Sequence, residues 1–206
     1  MPRQTNNPYS LEHLDNCLTR LETRTSPEDI SSVLASIEYD FMVLKGVYNL
    51  NNQIERFVKA AETRKECVNL YLMQNKDGEL LKLLMPYPHL FDVNVKILVC
   101  LHEESKATDL DRCHLLEECI EYMSSIQKIL EISKSVISLI LSVRNTYSVV
   151  KIAEKSSKTF NQLLRQAALT SSAKKFYQIF SYDAEFLDID VKCTYYRLKH
   201  YNYDPE

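Results

Sequence analysis

The sequence predicts an all-α protein, built as an elongated helical bundle with coiled-coil-like long helices. Glycine occurs only twice in 206 residues, far below the usual share of about 7%, and sheet proteins need glycine at turns and bulges. Residues 89–204 contain neither glycine nor proline. Through this stretch apolar residues recur in steps of three and four, the spacing of a helix with about 3.6 residues per turn.

The first helix is expected to follow a disordered tail formed by residues 1–9. Ser10 is a suitable N-cap for this helix. The apolar positions after it have the spacing of a heptad seam: Leu11, Leu14, Leu18 and Leu21. We expect these residues to pack on a partner helix, and a short amphipathic core helix is an equally good interpretation.

A second helical region begins at Ser26-Pro27, because serine suits the N-cap and proline the first helical position. Its apolar residues keep a heptad register: Ile30, Val33, Ile37, Leu44, Val47, Ile54, Val58, Ala61, Val68 and Leu72. Polar residues interrupt this register: Asp40, Asn51 and Lys65. The pattern predicts one long, interrupted helix, since buried polar residues can set helix register or partner number. A break near Gly46 and residues 48–52 is the alternative.

Short joints separate the helices that follow. Gly78 is expected in the left-handed conformation that ends a helix. A short apolar helix then runs into the double-proline break at residues 86–88. Another helix is expected within residues 91–104, and Thr108 or Asp109 is expected to cap the central helix. Weaker joints are expected at residues 145–146 and 170–172.

The central helix is the most apolar part of the chain, with its middle at residues 129–150. Two apolar stripes run along it, one of them reaching Tyr147, so more than one helix can pack against it. We expect its densest positions to contact helices of this chain or of a partner: Ile126, Leu130, Ile137 and Ile140. Lys134 and Arg144 limit the uncharged run to nine residues, 135–143, whereas a bilayer span needs about 20. The helix is therefore expected to be buried in protein.

These helices are expected to form one domain over residues 10–185, followed by a tyrosine-rich segment over residues 186–206. In that segment apolar residues alternate with polar ones, which is typical of a strand: Leu187, Ile189, Val191, Cys193 and Tyr195. As an extended segment it would dock on a helix or on another chain. A four-residue spacing through the same segment instead indicates a last helix that closes the bundle.

The sequence contains no recognisable enzyme motif. Gly46 and Gly78 are too far apart to form a phosphate-binding loop, and CxxC, HExxH and Gly-x-Ser-x-Gly do not occur. Cysteine and histidine lie close together at residues 100–102 and 113–119, but their spacing matches no zinc module. We therefore interpret these cysteines as structural and expect no catalytic residue, no metal and no cofactor.

Charge and cysteine content favour a cytoplasmic protein that does not bind nucleic acid. The formal charge of −3 gives no electrostatic attraction to phosphate. The N-terminal residues have no hydrophobic signal sequence, and the six cysteines have no disulfide-framework spacing. One basic run has the form of a phosphate-binding helix face: Lys151, Lys155, Lys158 and Arg165. A helical RNA-binding protein is therefore the less favoured alternative.

Three segments carry a resemblance to a known family. Residues 111–133 (DRCHLLEECIEYMSSIQKILEIS) have a Leu-Glu-Glu opening followed by apolar heptads, and residues 150–157 (VKIAEKSS) and 174–179 (KKFYQI) follow later. These segments resemble the central and last long helices of the dynactin subunit 3 family, the smallest shoulder subunit of dynactin. The chain differs from the family by Ile179, where an aromatic residue is expected, and by an insertion around residues 91–108.

The resemblance implies a non-enzymatic subunit that joins dynamitin and the Glued subunit in the dynactin shoulder. It also implies a location on the microtubule cytoskeleton, centrosome or kinetochore, and a role in dynein-linked transport and mitosis. Independently of the family, the apolar stripes and the missing catalytic motifs indicate a structural subunit of a heteromeric helical complex. A subunit of a kinetochore, spindle or tethering complex would show the same pattern and is the alternative.

Overall fold

The computed structural model describes residues 10–23, 26–102, 106–126 and 133–167, together with 185, 187 and 191–193. These residues form helices and turns without any strand, which confirms the all-α class. In chain order the helices are α1 (Leu11–Thr23), α2 (Pro27–Leu44), α3 (Asn51–Thr63), α4 (Lys65–Gln74), α5 (Glu79–Leu84), α6 (Val93–Leu101), α7 (Asp109–Ile126), α8 (Ser133–Ser142), α9 (Thr146–Lys155) and α10 (Ser157–Ala167), with a 3-10 turn at Pro88–Leu90. Within the described ranges, no helix combines the length and the apolar character needed to cross a membrane.

The chain divides into two compact units, residues 1–99 and residues 100–206. The sequence pattern instead predicts one domain over residues 10–185. The division arises because each unit buries its own set of apolar side chains. Helices α1–α5 belong to the N-terminal unit and α7–α10 to the C-terminal unit, while α6 crosses the boundary.

Helix α2 is the centre of the N-terminal unit. Helix α1 packs on α2 and on α3, while α4 and α5 also pack on α2. The inward face of α2 is almost completely buried: Ile30, Val33, Leu34, Ile37, Phe41 and Leu44. Phe41 meets Phe57 of α3 edge to face, with ring centroids 6.0 Å apart. Because burying each such side chain stabilises the fold by about 1.5–3 kcal/mol, this face supplies much of the unit's stability.

The predicted long helix over residues 30–72 is wrong, since the chain forms α2, α3 and α4 there. The break occurs at the alternative position, around Gly46 and residues 48–52. Val47, which the heptad register assigned to a buried position, is 72% exposed. The side chain of Asn49 accepts a hydrogen bond of 3.1 Å from Asn51 N at the start of α3. In the described part of the chain the longest helices have 18 residues, so coiled-coil-like long helices are not seen there.

Gly78 occupies a different position from the predicted one. It is the N-cap of α5, with φ −72° and ψ 158°, and not a left-handed residue after α4. A Cβ at this residue would overlap Glu38 Oε1 and lie 3.0 Å from Asn75 O. Glu38 accepts hydrogen bonds from Tyr71 Oη at 2.6 Å and from Leu80 N at 3.1 Å. One carboxylate of α2 therefore holds both α4 and α5, and glycine leaves room for it.

The C-terminal unit is organised around α7, which packs on α8, α9 and α10. Helix α10 also packs on α8 and α9. The core of this unit consists of large apolar side chains from all four helices: Leu116, Ile120, Met123, Val136, Leu139, Ile140, Val149, Ile152, Phe160 and Leu163. Several of them were predicted as the two apolar stripes of the central helix.

The central stretch turns between α8 and α9, at the weaker joint predicted at residues 145–146. Asp109 at the start of α7 accepts hydrogen bonds from the backbone N of Arg144 at 2.7 Å and of Asn145 at 2.9 Å. These bonds, the one from Arg144 first, lower the pKa of Asp109. Asn145 Oδ1 then accepts from Ser148 N at 3.3 Å and caps α9. Tyr147, predicted to extend an apolar stripe, is consequently 68% exposed.

The predicted N-caps are largely confirmed. Ser10 Oγ accepts a hydrogen bond of 3.1 Å from His13 N. Thr108 Oγ1 accepts from Asp111 N at 3.2 Å, while Asp111 Oδ2 accepts from Thr108 N at 2.7 Å, a reciprocal arrangement of the capping-box kind. Ser26 takes the N-cap position of α2 without a side-chain hydrogen bond to the helix.

The predicted disordered tail, residues 1–9, and most of the segment 186–206 lie outside the described residues. Within that segment, residues 191–193 are helical, and Leu187 and Val191 are buried. At these positions the structure agrees with the last-helix interpretation and not with the strand.

Candidate protein interaction surface

Three of the four predicted seam residues in α1 are covered by their own chain. Leu14, Leu18 and Leu21 have 0% exposure, and Leu11 packs at the edge of the same core. The helices that cover them are α2 and α3. The seam therefore joins helices within the N-terminal unit, and in this fold its buried residues are inaccessible to another protein.

The predicted contact positions of the central helix lie in the C-terminal unit. Ile137 and Ile140 on α8 are both buried there, where α8 meets α7 and α10. Ile126 is the last residue of α7, and Leu130 lies outside the described residues. Like the α1 seam, Ile137 and Ile140 are core residues of this chain.

A row of exposed apolar side chains follows the outer face of α2 and the turn after it. We call this row the α2 stripe, and its exposed fractions are Tyr39 44%, Met42 46%, Val43 36%, Val47 72% and Tyr48 47%. Steps of three and four place the first three residues on one face of the helix. Val47 N and Tyr48 N donate to Leu44 O at 2.9 and 3.0 Å and hold the turn against the helix end. Single exposed apolar residues are common, but adjacent ones mark interaction sites.

A groove of about 440 Å³ opens at the end of the α2 stripe, and Tyr48 belongs to both. Its remaining apolar walls come from α2, α3, α5 and the turn between α2 and α3: Phe41, Leu50, Ile54 and Leu83. The groove is open to solvent along one side, and polar side chains form its rim. Such a shape accommodates an apolar side chain from a partner while the rim stays hydrated.

The rim of the groove carries a small excess of positive charge. Lys45 and Lys82 both form ion pairs with Glu79. The hydrogen bond from Lys45 is the main reason that the pKa of Glu79 lies below its usual value. Two ammonium groups and one carboxylate leave one positive charge, so an acidic side chain beside an apolar one would fit here.

Acidic neighbours pair with part of the basic run that sequence analysis identified. Lys151 Nζ lies 2.8 Å from Glu154 Oε2, and Lys155 Nζ lies 3.0 Å from Glu117 Oε1. Lys151 also lies over the ring of Tyr147, 5.4 Å from its centroid. These pairs reduce the positive charge available to phosphate, so the geometry of this face does not favour RNA binding.

The cysteines weighed as metal ligands in the C-terminal unit are free thiols. Cys100 and Cys119 are buried, and Cys113 is half-buried. Burial is the main cause that raises the pKa of Cys100 and of Cys113. Burial therefore favours the protonated form of Cys100 and of Cys113.

The heptad pattern of the sequence does not predict the α2 stripe. It assigned Val47 to a buried seam and gave no role to Tyr39, Met42 and Val43. The signal was present as a second set of apolar residues beside the buried face of α2. It was not recognised because the heptad register was continued through the turn.

Comparison of the chain with protein-family models, with curated proteins and with solved structures gave no match. The class of protein is therefore defined by the fold and the surface themselves. It is an all-α protein whose N-terminal unit presents an apolar helix face and an adjoining groove.

Proposed function

We propose that the protein is a non-enzymatic structural subunit of a heteromeric helical complex, and that the α2 stripe binds a helix of a partner. The observation that carries this proposal is the row of five exposed apolar side chains beside a groove with apolar walls. Removing apolar surface from water is the main favourable term in protein association, about 25 cal/mol per Å². Aromatic residues and methionine, which make up three of the five positions, are enriched in interfaces.

The partner that suits this surface is an amphipathic helix with apolar residues three or four positions apart. Such a helix would lie along Tyr39, Met42 and Val43 and insert one apolar side chain into the groove next to Tyr48. Tyrosine is favourable at this place, because its ring supplies contact area and its hydroxyl group stays at the hydrated edge. An acidic residue of the partner would lie close to Lys45 and Lys82 on the rim.

The particular complex that we propose is the dynactin shoulder, with dynamitin and the Glued subunit as partners. The support for this step is the resemblance of residues 111–133, 150–157 and 174–179 to the dynactin subunit 3 family, together with the all-α fold. The proposal places the protein in the cytoplasm on microtubules, centrosomes or kinetochores. A kinetochore, spindle or tethering complex is the alternative assembly for the same surface.

Affinity purification of the full chain from its own cells, followed by identification of the chains that purify with it, tests the proposal. The variant Met42→Glu/Val47→Glu places two charges in the α2 stripe. We expect it to weaken partner binding by more than about 30-fold, since interface anchors contribute about 2 kcal/mol or more. Leu70→Glu is the matched control, because Leu70 is a separate exposed apolar residue of α4 in the same unit. It should leave partner binding unchanged.

The outcomes separate the two levels of the proposal. Recovery of dynamitin and Glued with the parent chain but not with the double variant supports both levels. Recovery of other helical subunits, lost in the double variant, supports the structural subunit but rejects dynactin. Partner binding that persists in a double variant with unchanged circular dichroism rejects the α2 stripe as the interface.

A further inference from the structure

A histidine, a cysteine and an aspartate, three residue types that can bind metal ions, lie close together where α1 packs on α2. His13 and Cys17 lie one turn apart on α1, and Asp40 lies opposite them on α2. His13 Nδ1 is 2.7 Å from Asp40 Oδ2 and 3.9 Å from Cys17 Sγ. The ligand atoms of the three side chains all lie within 4.8 Å of one another.

The buried position of Asp40 is energetically unfavourable for a carboxylate. It lies on the buried face of α2 among Ile37, Phe41 and Leu44 and is 1% exposed. Burying a carboxylate costs several kcal/mol unless a charge or hydrogen bonds compensate. The hydrogen bond with His13 compensates part of this cost. A residue that breaks an otherwise apolar face in this way is typical of a functional site.

We propose that His13, Cys17 and Asp40 bind a divalent transition-metal ion of the Zn²⁺ class. Imidazole nitrogen, thiolate sulfur and carboxylate oxygen are the usual zinc donors, whereas Mg²⁺ and Ca²⁺ bind oxygen ligands. Ligand atoms about 2.0–2.3 Å from zinc lie roughly 3.3–3.8 Å apart in a tetrahedron. The observed separations of 2.7 and 3.9 Å lie on either side of that range, and the third separation is at most 4.8 Å, so side-chain rotation is needed to bring the ligands into place.

Binding exchanges protons for the metal ion at defined atoms. The Cys17 thiol releases its proton to solvent and becomes the thiolate ligand. His13 binds through Nδ1, and its ring proton is then on Nε2. The His13 side chain is 43% exposed, so solvent reaches the site at this ligand. Because the ligands come from two helices, the ion crosslinks α1 to α2 and stabilises the N-terminal unit by mass action.

Titration of the chelator-treated full chain with Co²⁺, a spectroscopic substitute for Zn²⁺, tests the site. We expect saturation at one ion per chain, with the absorption band of a thiolate-to-cobalt transition. Zn²⁺ should remove this band by displacing cobalt and should raise the melting temperature, while Mg²⁺ and Ca²⁺ should do neither. The absence of a thiolate band, or an equal effect of all these cations, would overturn the proposal.

Variants assign the band to the proposed ligands. Cys17→Ser and Asp40→Asn keep side-chain size and should each lower cobalt affinity by about 100-fold or more, since loss of outer-shell contacts alone costs about 10–100-fold. Cys100→Ser is the control, because Cys100 is another buried thiol, and it should keep full affinity. Retention of the band in folded Cys17→Ser protein refutes the site. If Cys17→Ser or Asp40→Asn protein fails to fold, His13→Gln at the half-exposed ligand is the substitute variant. Retention of the band in His13→Gln protein refutes the site in the same way.

Discussion

Replacing Tyr71 by phenylalanine removes one hydroxyl group from the contact between α4 and α2. Tyr71 Oη donates to the Glu38 carboxylate at 2.6 Å, and the tyrosine is only 6% exposed. Hydrogen bonds to charged groups contribute about 1.5–3 kcal/mol. Glu38 keeps its hydrogen bond from Leu80 N, and because Glu38 is half-buried, water replaces part of what is lost. We therefore expect the free energy of unfolding of the N-terminal unit to fall by about 1–2 kcal/mol.

Urea unfolding followed by circular dichroism measures this change, and its pH dependence identifies the cause. Burial first, and the hydrogen bond to Glu38 second, raise the pKa of Tyr71 above its ordinary value of 10.0. A pKa that is raised in the folded state stabilises the protein fully at pH values below the unfolded-state pKa. This stabilisation is lost as the pH rises from the unfolded-state pKa through the folded-state pKa. The difference between parent and variant should thus be constant from neutral pH to about pH 10 and shrink above it.

The control is Tyr48→Phe, which removes a hydroxyl group from a side chain that is 47% exposed. Its free energy of unfolding should change by less than about 0.5 kcal/mol. If Tyr71→Phe protein unfolds like the parent at neutral pH, Glu38 does not hold α4 to α2 and the reasoning fails.

Three further changes test other contacts. Gly78→Ala should destabilise the N-terminal unit by about 1–3 kcal/mol, because the new methyl group displaces the Glu38 carboxylate from Leu80 N. The loss should be much smaller when Glu38 is already replaced by alanine. If the effects of the two substitutions are additive, this account is contradicted. Asp109→Asn should lower stability at neutral pH by about 1 kcal/mol or less. Because the pKa of Asp109 is lowered in the folded state, its carboxylate stabilises the protein at pH values above the unfolded-state pKa of 3.8. This stabilisation is lost as the pH falls through the folded-state pKa. The melting temperatures of parent and variant, measured by thermal unfolding, should therefore converge in acid. Ile140→Asp puts a charge at a position with 0% exposure and should unfold the C-terminal unit; a variant with unchanged helical circular dichroism would exclude Ile140 from its core.

The helical class and much of the core were predictable from the sequence. Glycine depletion and three-four periodicity are local properties of the chain, and helices are stabilised by local hydrogen bonds. The same periodicity correctly placed Leu14, Leu18 and Leu21 on the inward face of α1. It also correctly placed the apolar heptad residues from Ile30 to Leu44 on the inward face of α2. It did not reveal that the neighbouring helices belong to the same chain, because a seam looks alike whether its partner is internal or external.

The break near Gly46 was predicted only as an alternative, and the paired polar groups were not predictable from the pattern. A heptad register does not predict which residues are buried beyond a turn, because the turn changes the orientation of the next helix. For this reason Val47 was predicted to be buried although it is exposed. Glu38 and Tyr71 are 33 residues apart, and His13 and Asp40 are 27 apart. No local spacing encodes such contacts, since they appear only when α1, α2 and α4 pack together.

The helix pairing of the N-terminal unit has a consequence for the order of events during synthesis. Helix α1 pairs with α2, and α2 with α4 and α5, so these contacts form without any residue of the C-terminal unit. The unit is complete once residue 99 has left the ribosome. Residues 100–206 are added after the N-terminal unit, at about 5–20 residues per second. We expect the α2 stripe to be displayed on the nascent chain at this stage, so that a partner helix can be recruited before the C-terminal unit is synthesised.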